Sequence, residues 1–142
     1  MKFLNEEGRE ITLKRAENLP GYEVTLSEDV VIESAVDNPF FKGINILQLP
    51  KKLKGFRKNS DLKNLLKPQT LTTNIRMDSA DNKLGIFCPT PELRENNRLL
   101  LDNGNFFSGQ LIKPSFINFG LKPVILHKHT VIGVIVIIDI QK

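Results

Sequence analysis

Hydrophobic and polar positions along this chain alternate in short runs, and turn residues interrupt each run before a helical period is established. Ile11-Thr12-Leu13-Lys14-Arg15 and Tyr22-Glu23-Val24-Thr25-Leu26 alternate with period two, and Val30-Val31-Ile32 is an apolar run within residues 29–33. Ile44-Asn45-Ile46-Leu47-Gln48-Leu49 alternates as far as Pro50, which lacks the N–H that a sheet ladder needs. Residues 70–77 and 83–88 continue the series. From Leu99 to Ile140 the pattern is nearly continuous: 99–101, 106–112, 115–120, 123–126 and 131–138. Many short strands separated by turns predict an all-β sandwich or barrel. Asp102-Asn103-Gly104-Asn105 predicts a tight hairpin, because Asn-Gly readily takes the positive φ such turns need. Pro114 predicts an edge or a bulge. Helix is expected only over 60–66, with Ser60 as N-cap and Pro68 as stop, and as a single turn near 91–96.

The run Val131 to Ile138 is apolar at positions that would face both sides of a sheet. A strand on the surface of a monomer would alternate, and an open apolar edge would aggregate. Its cover comes from its own domain or from neighbouring copies. In so small a domain the expectation is that Val134, Ile135, Val136 and Ile137 meet a second copy.

Composition narrows the class. The 142 residues, 40% hydrophobic and 25% charged, suit one domain over 1–142 with a core that needs no staples. Cys88 is the one cysteine, so no intrachain disulfide can form, which fits a reducing compartment or a particle assembled in one. Met1-Lys2-Phe3-Leu4 meets Asn5-Glu6-Glu7 at once, which is no signal-peptide pattern, and the longest apolar run is too short for a membrane helix. A cytoplasmic or virion location is expected, with no membrane partner. The net charge of +4 is segregated: nine acids against four bases over 1–37, and seven bases against one acid over 51–67. Opposed patches suit contacts between copies or with an acidic partner. With Phe56 alone among the basic residues, no stacking platform for specific nucleic-acid binding is present.

Three groups of segments, taken in order, resemble the dUTPase family. Ala16-Glu17-Asn18-Leu19-Pro20-Gly21-Tyr22-Glu23-Val24 with Ser27–Ile32 is similar to the family's first motif. Residues 41–50 with Gly55-Phe56-Arg57 are similar to the strand pair that enters the second. Leu100-Leu101-Asp102 through Gly109, followed by Asn118-Phe119-Gly120 and Ile132-Gly133-Val134-Ile135-Val136, resembles the third motif and the strands after it. The resemblance implies a dUTPase-like β-clip, jelly-roll-like barrel, built as a homotrimer, with an insertion around 63–98.

The chemistry departs from that pattern. A dUTPase polarises water with an aspartate and holds metal-bound phosphates with Arg and Ser side chains and backbone N–H groups, since a triphosphate demands cations and donors. Glu23 stands at the first-motif aspartate, and Arg57-Lys58-Asn59-Ser60 imitates the Arg-Ser pair loosely. Where the family has an acid followed by Tyr-Arg-Gly, this chain has Phe107-Ser108-Gly109, about two residues further from Asp102. Phe107 lacks the hydroxyl and Ser108 the guanidinium. The family's Gly-rich closing arm has no counterpart in these residues. The expectation is a non-catalytic, cofactor-free trimeric module, such as a capsid-decorating protein of a phage, whose partners are itself and a capsid protein. The alternative is a divergent dUTP diphosphatase needing Mg²⁺, with Asp102 as its catalytic acid and Arg57, Ser60, Phe107, Ser108 and Gly109 about the substrate.

Other polar groups read as structure. His127-Lys128-His129 has chelating spacing but no third ligand nearby in sequence, and a turn is expected. Cys88 reads as a packing residue, and Asp78-Ser79-Ala80-Asp81-Asn82 lacks the register of a calcium loop.

Overall fold

The computed structural model describes residues 2–34, 68–78 and 82–140. These form twelve strands: β1 (Lys2–Leu4), β2 (Glu10–Ile11), β3 (Tyr22–Thr25), β4 (Val30–Ile32), β5 (Gln69–Thr70), β6 (Arg76–Asp78), β7 (Lys83–Pro89), β8 (Leu99–Asn103), β9 (Asn105–Phe107), β10 (Ser115–Asn118), β11 (Val124–Leu126) and β12 (Val131–Asp139). They pair in the orders β2-β1-β6, β5-β10-β8, β11-β4 and β3-β12-β7-β9. The strand pairings are antiparallel, and the all-β class expected from the alternation is the class observed. Strand 44–49 and helix 60–66 lie outside the described residues. The helical turn near 91–96 is present as Glu92–Asn96. It closes with the Asn97 N–H donating to the carbonyl of Glu92, five residues back, and it buries Leu93.

Several local expectations change once the strands are placed. The run 70–77 is not one strand: β5 joins β10 and β6 joins β1, in different sheets, with Leu71 and Ile75 buried between them. The stretch expected as an insertion, from residue 68 on, is built into the sheets, because β7 lies between β12 and β9. Asn103-Gly104 makes no hairpin. β8 belongs with β10 and β9 with β7, so the chain switches sheets at Gly104, which is not among the positive-φ glycines. Space, not handedness, calls for glycine there: a Cβ would stand 2.7 Å from the Leu101 side chain and 3.2 Å from the Phe87 carbonyl oxygen, which lies against the switch. Pro114 directly precedes β10, and the irregularity it predicts falls between Ser115 and Phe116.

β12 explains its own doubly apolar sequence. It is a central strand, paired with β3 on one side and β7 on the other. Ile132 and Ile135 are fully buried in the core with Val24, Met77, Phe87 and Phe116. Ile135 is therefore covered by its own chain, which corrects its assignment to an interface between copies; Ile137 also packs against that core. The other face is different. Val134 pairs with Cys88, Val136 with Ile86 and Ile138 with Leu84, and directly paired residues share a face. This second apolar face is buried by its own chain at Val134, which corrects that residue's assignment to an interface as well, half-buried at Leu84, Ile86, Cys88 and Val136, and exposed at Ile138.

One buried polar group ties two sheets together. Asn118, 1% exposed at the end of β10, donates from Nδ2 to the carbonyls of Ile32 (3.0 Å) and Lys122 (2.9 Å). Its Oδ1 accepts the Gly120 N–H at 2.8 Å. Ser34 donates to the Gly120 carbonyl beside it. The amide thus fastens β4, β10 and the turn that leads to β11.

Candidate functional site

Of the described residues on which the resemblance placed its chemistry, Glu23 lies in β3 opposite Val134, and the others lie between β8 and residue 113. Leu101 pairs with Phe116 and Asn103 with Ser115, so Asp102 is the extra residue of a β-bulge. It is exposed, and among the described residues its carboxylate has no hydrogen-bond or ion-pair partner. β9 then runs along β7, with exposed Phe107 opposite Leu84. Residues 107–110 form the tight turn of this region. The Gln110 N–H donates to the Phe107 carbonyl at 3.1 Å, and Gly109 at φ 86° supplies the left-handed residue. Two further bonds hold it: Gly109 N–H to the Met77 carbonyl at 2.8 Å, and Phe107 N–H to Gln110 Oε1 at 2.8 Å.

Beside this turn lies a hollow of about 380 Å³ lined by Arg76, Asn103, Phe106, Gln110, Leu111 and Lys113. Asp102, Phe107, Ser108 and Gly109 do not line it. The turn is therefore present, and the candidate acid is exposed and takes no part in lining the hollow. Arg57 and Ser60 lie outside the described residues. Arg76, Asn103, Gln110 and Lys113 were missed from sequence. A cation between Ile75 and Met77 in an alternating strand reads as its solvent face, and only the pairing of 75–77 with 109–112, through the bridge Arg76–Leu111 and the bonds from Ile112 N–H to the Ile75 carbonyl and Gly109 N–H to the Met77 carbonyl, brings it to this place.

The remaining candidates resolve into structure. His127, Lys128 and His129 form the turn between β11 and β12, with the Thr130 N–H donating to the His127 carbonyl at 3.1 Å and His129 at φ 70°. Asp29 caps it, taking the Lys128 N–H at 2.6 Å and lying 4.0 Å from His127 Nδ1. Among the described residues no three His, Cys, Asp or Glu side chains converge as a metal site would require. Cys88 is half-buried on the second face of β7.

Comparison with solved structures places the architecture. The EIAV dUTPase superposes with a TM-score of 0.62 at 10% identity, over 99% of this chain and 88% of that one. The chain has the dUTPase fold. A Staphylococcus bacteriophage 80alpha dUTPase mutant bound to dUpNHpp gives 0.63 at 12% identity, over 93% of this chain and 78% of the other. A dUTPase mutant from phage phi11 of S. aureus, described with a structural Mg(II) ion, gives 0.62 at 10%, over 93% and 85%. No family model and no curated protein sequence matches the chain. The dUTPase fold is here carried by a sequence only 10–12% identical to those of these solved structures. No helix among the described residues is long and apolar enough to cross a membrane.

Proposed function

We propose that this dUTPase-fold chain is a non-catalytic module that assembles with copies of itself as a homotrimer and serves as a virion component, such as a phage capsid-decorating protein. The observation that carries the loss of catalysis is the bulge at Asp102: the single carboxylate of residues 99–113 is exposed on that bulge and does not line the hollow beside the turn. Ser108 in that turn has no guanidinium to set against a phosphate, and a hydroxyl does not replace a bidentate cation. Self-assembly is supported by the second face of the β3-β12-β7-β9 sheet, where Val136, Ile138, Ile86 and Leu84 lie together. It is also supported by Val31 and Ile125, which face each other across β4 and β11 and are both exposed.

The competing reading, a divergent Mg²⁺-dependent dUTP diphosphatase giving dUMP and pyrophosphate, is favoured by the solved structures it resembles, which are dUTPases. Pyrophosphate release from each deoxynucleoside triphosphate, assayed with Mg²⁺, separates the two. No release above background is expected. Turnover of dUTP that disappears in Asp102→Asn would overturn the non-catalytic reading.

A further inference from the structure

The hollow beside the 107–110 turn has an unusual polar inventory. Arg76 Nε is buried without a hydrogen-bond acceptor, and among the described residues no carboxylate lies within ion-pair distance of its guanidinium. Lys113 lines the hollow too, so two cations border one space, and among the described residues no acid lines it. The two amides there have their acceptor ends engaged already. Gln110 Oε1 takes the Phe107 N–H, and Asn103 Oδ1 takes the Asn105 N–H at 3.4 Å. Among the described residues neither amide NH₂ group has an acceptor, so each has it left to give. What remains unsatisfied around the hollow is donors, and the nearby backbone turn keeps the amides in that orientation.

A buried donor on a charged group with no acceptor is costly, and the exposed Lys113 adds a second positive charge to the same hollow. The chemistry that answers both is an oxyanion. A carboxylate would offset one charge, whereas a phosphate monoester brings about two negative charges and three acceptor oxygens, matching two cations and two amides. The volume of about 380 Å³ lies at the small end of small-molecule sites, and Phe106 and Leu111 supply an apolar wall.

We propose that this hollow is a phosphoryl-binding site, with Arg76 and Lys113 as the charge partners and the amides of Asn103 and Gln110 as the orienting donors. Binding there neither requires nor excludes turnover of dUTP, so a failed hydrolysis assay leaves it standing and a failed binding assay leaves the assembly untouched.

The test titrates the whole chain with inorganic phosphate, ribose 5-phosphate and ribose against sodium chloride at matched ionic strength. Thermal midpoint and the Arg76 Nε–H resonance are followed. Phosphate should raise the midpoint saturably and shift that resonance, which Arg76→Met identifies by its loss, while ribose should do neither. Ribose 5-phosphate binding tenfold or more tighter than phosphate assigns the site to a phosphorylated small molecule; equal affinity assigns it to the free ion. Arg76→Met should lose the phosphate response and, with its unpaired cation gone, melt higher than the wild type in phosphate-free buffer. Lys113→Gln, at an exposed position that does not threaten folding, should weaken phosphate at least tenfold. Phosphate acting no differently from chloride overturns the proposal, as does Lys113→Gln binding phosphate as tightly as the wild type.

Discussion

Asn118 offers the sharpest test of how the sheets are joined. Asn118→Ala deletes three hydrogen bonds and strands the Ile32 and Lys122 carbonyls and the Gly120 N–H around a side chain that is 1% exposed. Each bond contributes about 0.5–1.5 kcal/mol net, and a group left dry costs about 1–3 kcal/mol. Some of the three regain water at the turn, so the expected loss is about 3–5 kcal/mol. For a domain of this size about 1 kcal/mol moves the midpoint by roughly 2–4 °C, giving a fall of about 10–15 °C. Urea denaturation should show a lower midpoint with an unchanged slope. Asn118→Asp separates hydrogen bonding from mere volume. Its carboxylate can still accept from Gly120, but the other oxygen faces two carbonyls unless it carries a proton. The folded state therefore raises that carboxyl above the ordinary aspartate value. A raised value means stability present in acid and lost as pH rises through it, so the deficit against wild type should be smaller at about pH 4 than at about pH 7. An Ala variant within about 1 kcal/mol of wild type would refute the reasoning. So would an Asp variant whose deficit grows in acid.

Other outcomes follow from the same geometry. Gly133→Ala puts a Cβ 2.3 Å from the Cys88 carbonyl oxygen, inside the ladder with β7, and should cost about 3 kcal/mol or more by chemical denaturation. Gly109→Ala meets open space but keeps a φ of 86°, so its cost should stay near 1–2 kcal/mol, roughly that of a left-handed alanine. Ile135→Lys buries a charge in the chain's own core and should abolish folding by circular dichroism. Val136→Lys, on the second face, should leave the spectrum intact but convert an oligomer to monomer by light scattering; a wild-type monomer at micromolar concentration would remove the self-assembly proposal.

The strands were legible where local pattern and burial coincide. Alternation over 22–26 marked β3, the apolar run at 30–32 marked β4, and 83–88 marked nearly all of β7. The doubly apolar run 131–138 announced a strand covered on both faces, but periodicity carries no information on who covers it, and the cover at Ile135 came from within. Gly104 shows a second limit. Asn-Gly is favoured by a tight hairpin, yet here the glycine serves close packing, and the two demands leave the same residues in the sequence. The candidate site was legible only at Gly109, whose left-handed turn needs that residue. Asp102 was found as a residue but not as a bulge, because a bulge is a property of two strands in register and β10 lies a dozen residues on. Arg76 was invisible because its meaning depends on Lys113, 37 positions away.

The placement of β12 also sets an order of events during synthesis. β3 and β7 leave the ribosome well before β12, and although β7 can already pair with β9, the edge that each offers to β12 stays open until residues 131–139 emerge. For that interval each presents an unpaired ladder edge, the most adhesive surface a nascent chain has. Neighbouring copies made on one message thus carry matching open edges at the same moment. Insertion of a single late strand closes both, so slowing translation just before residue 131 should raise the aggregated fraction more than the same pause placed anywhere before residue 83.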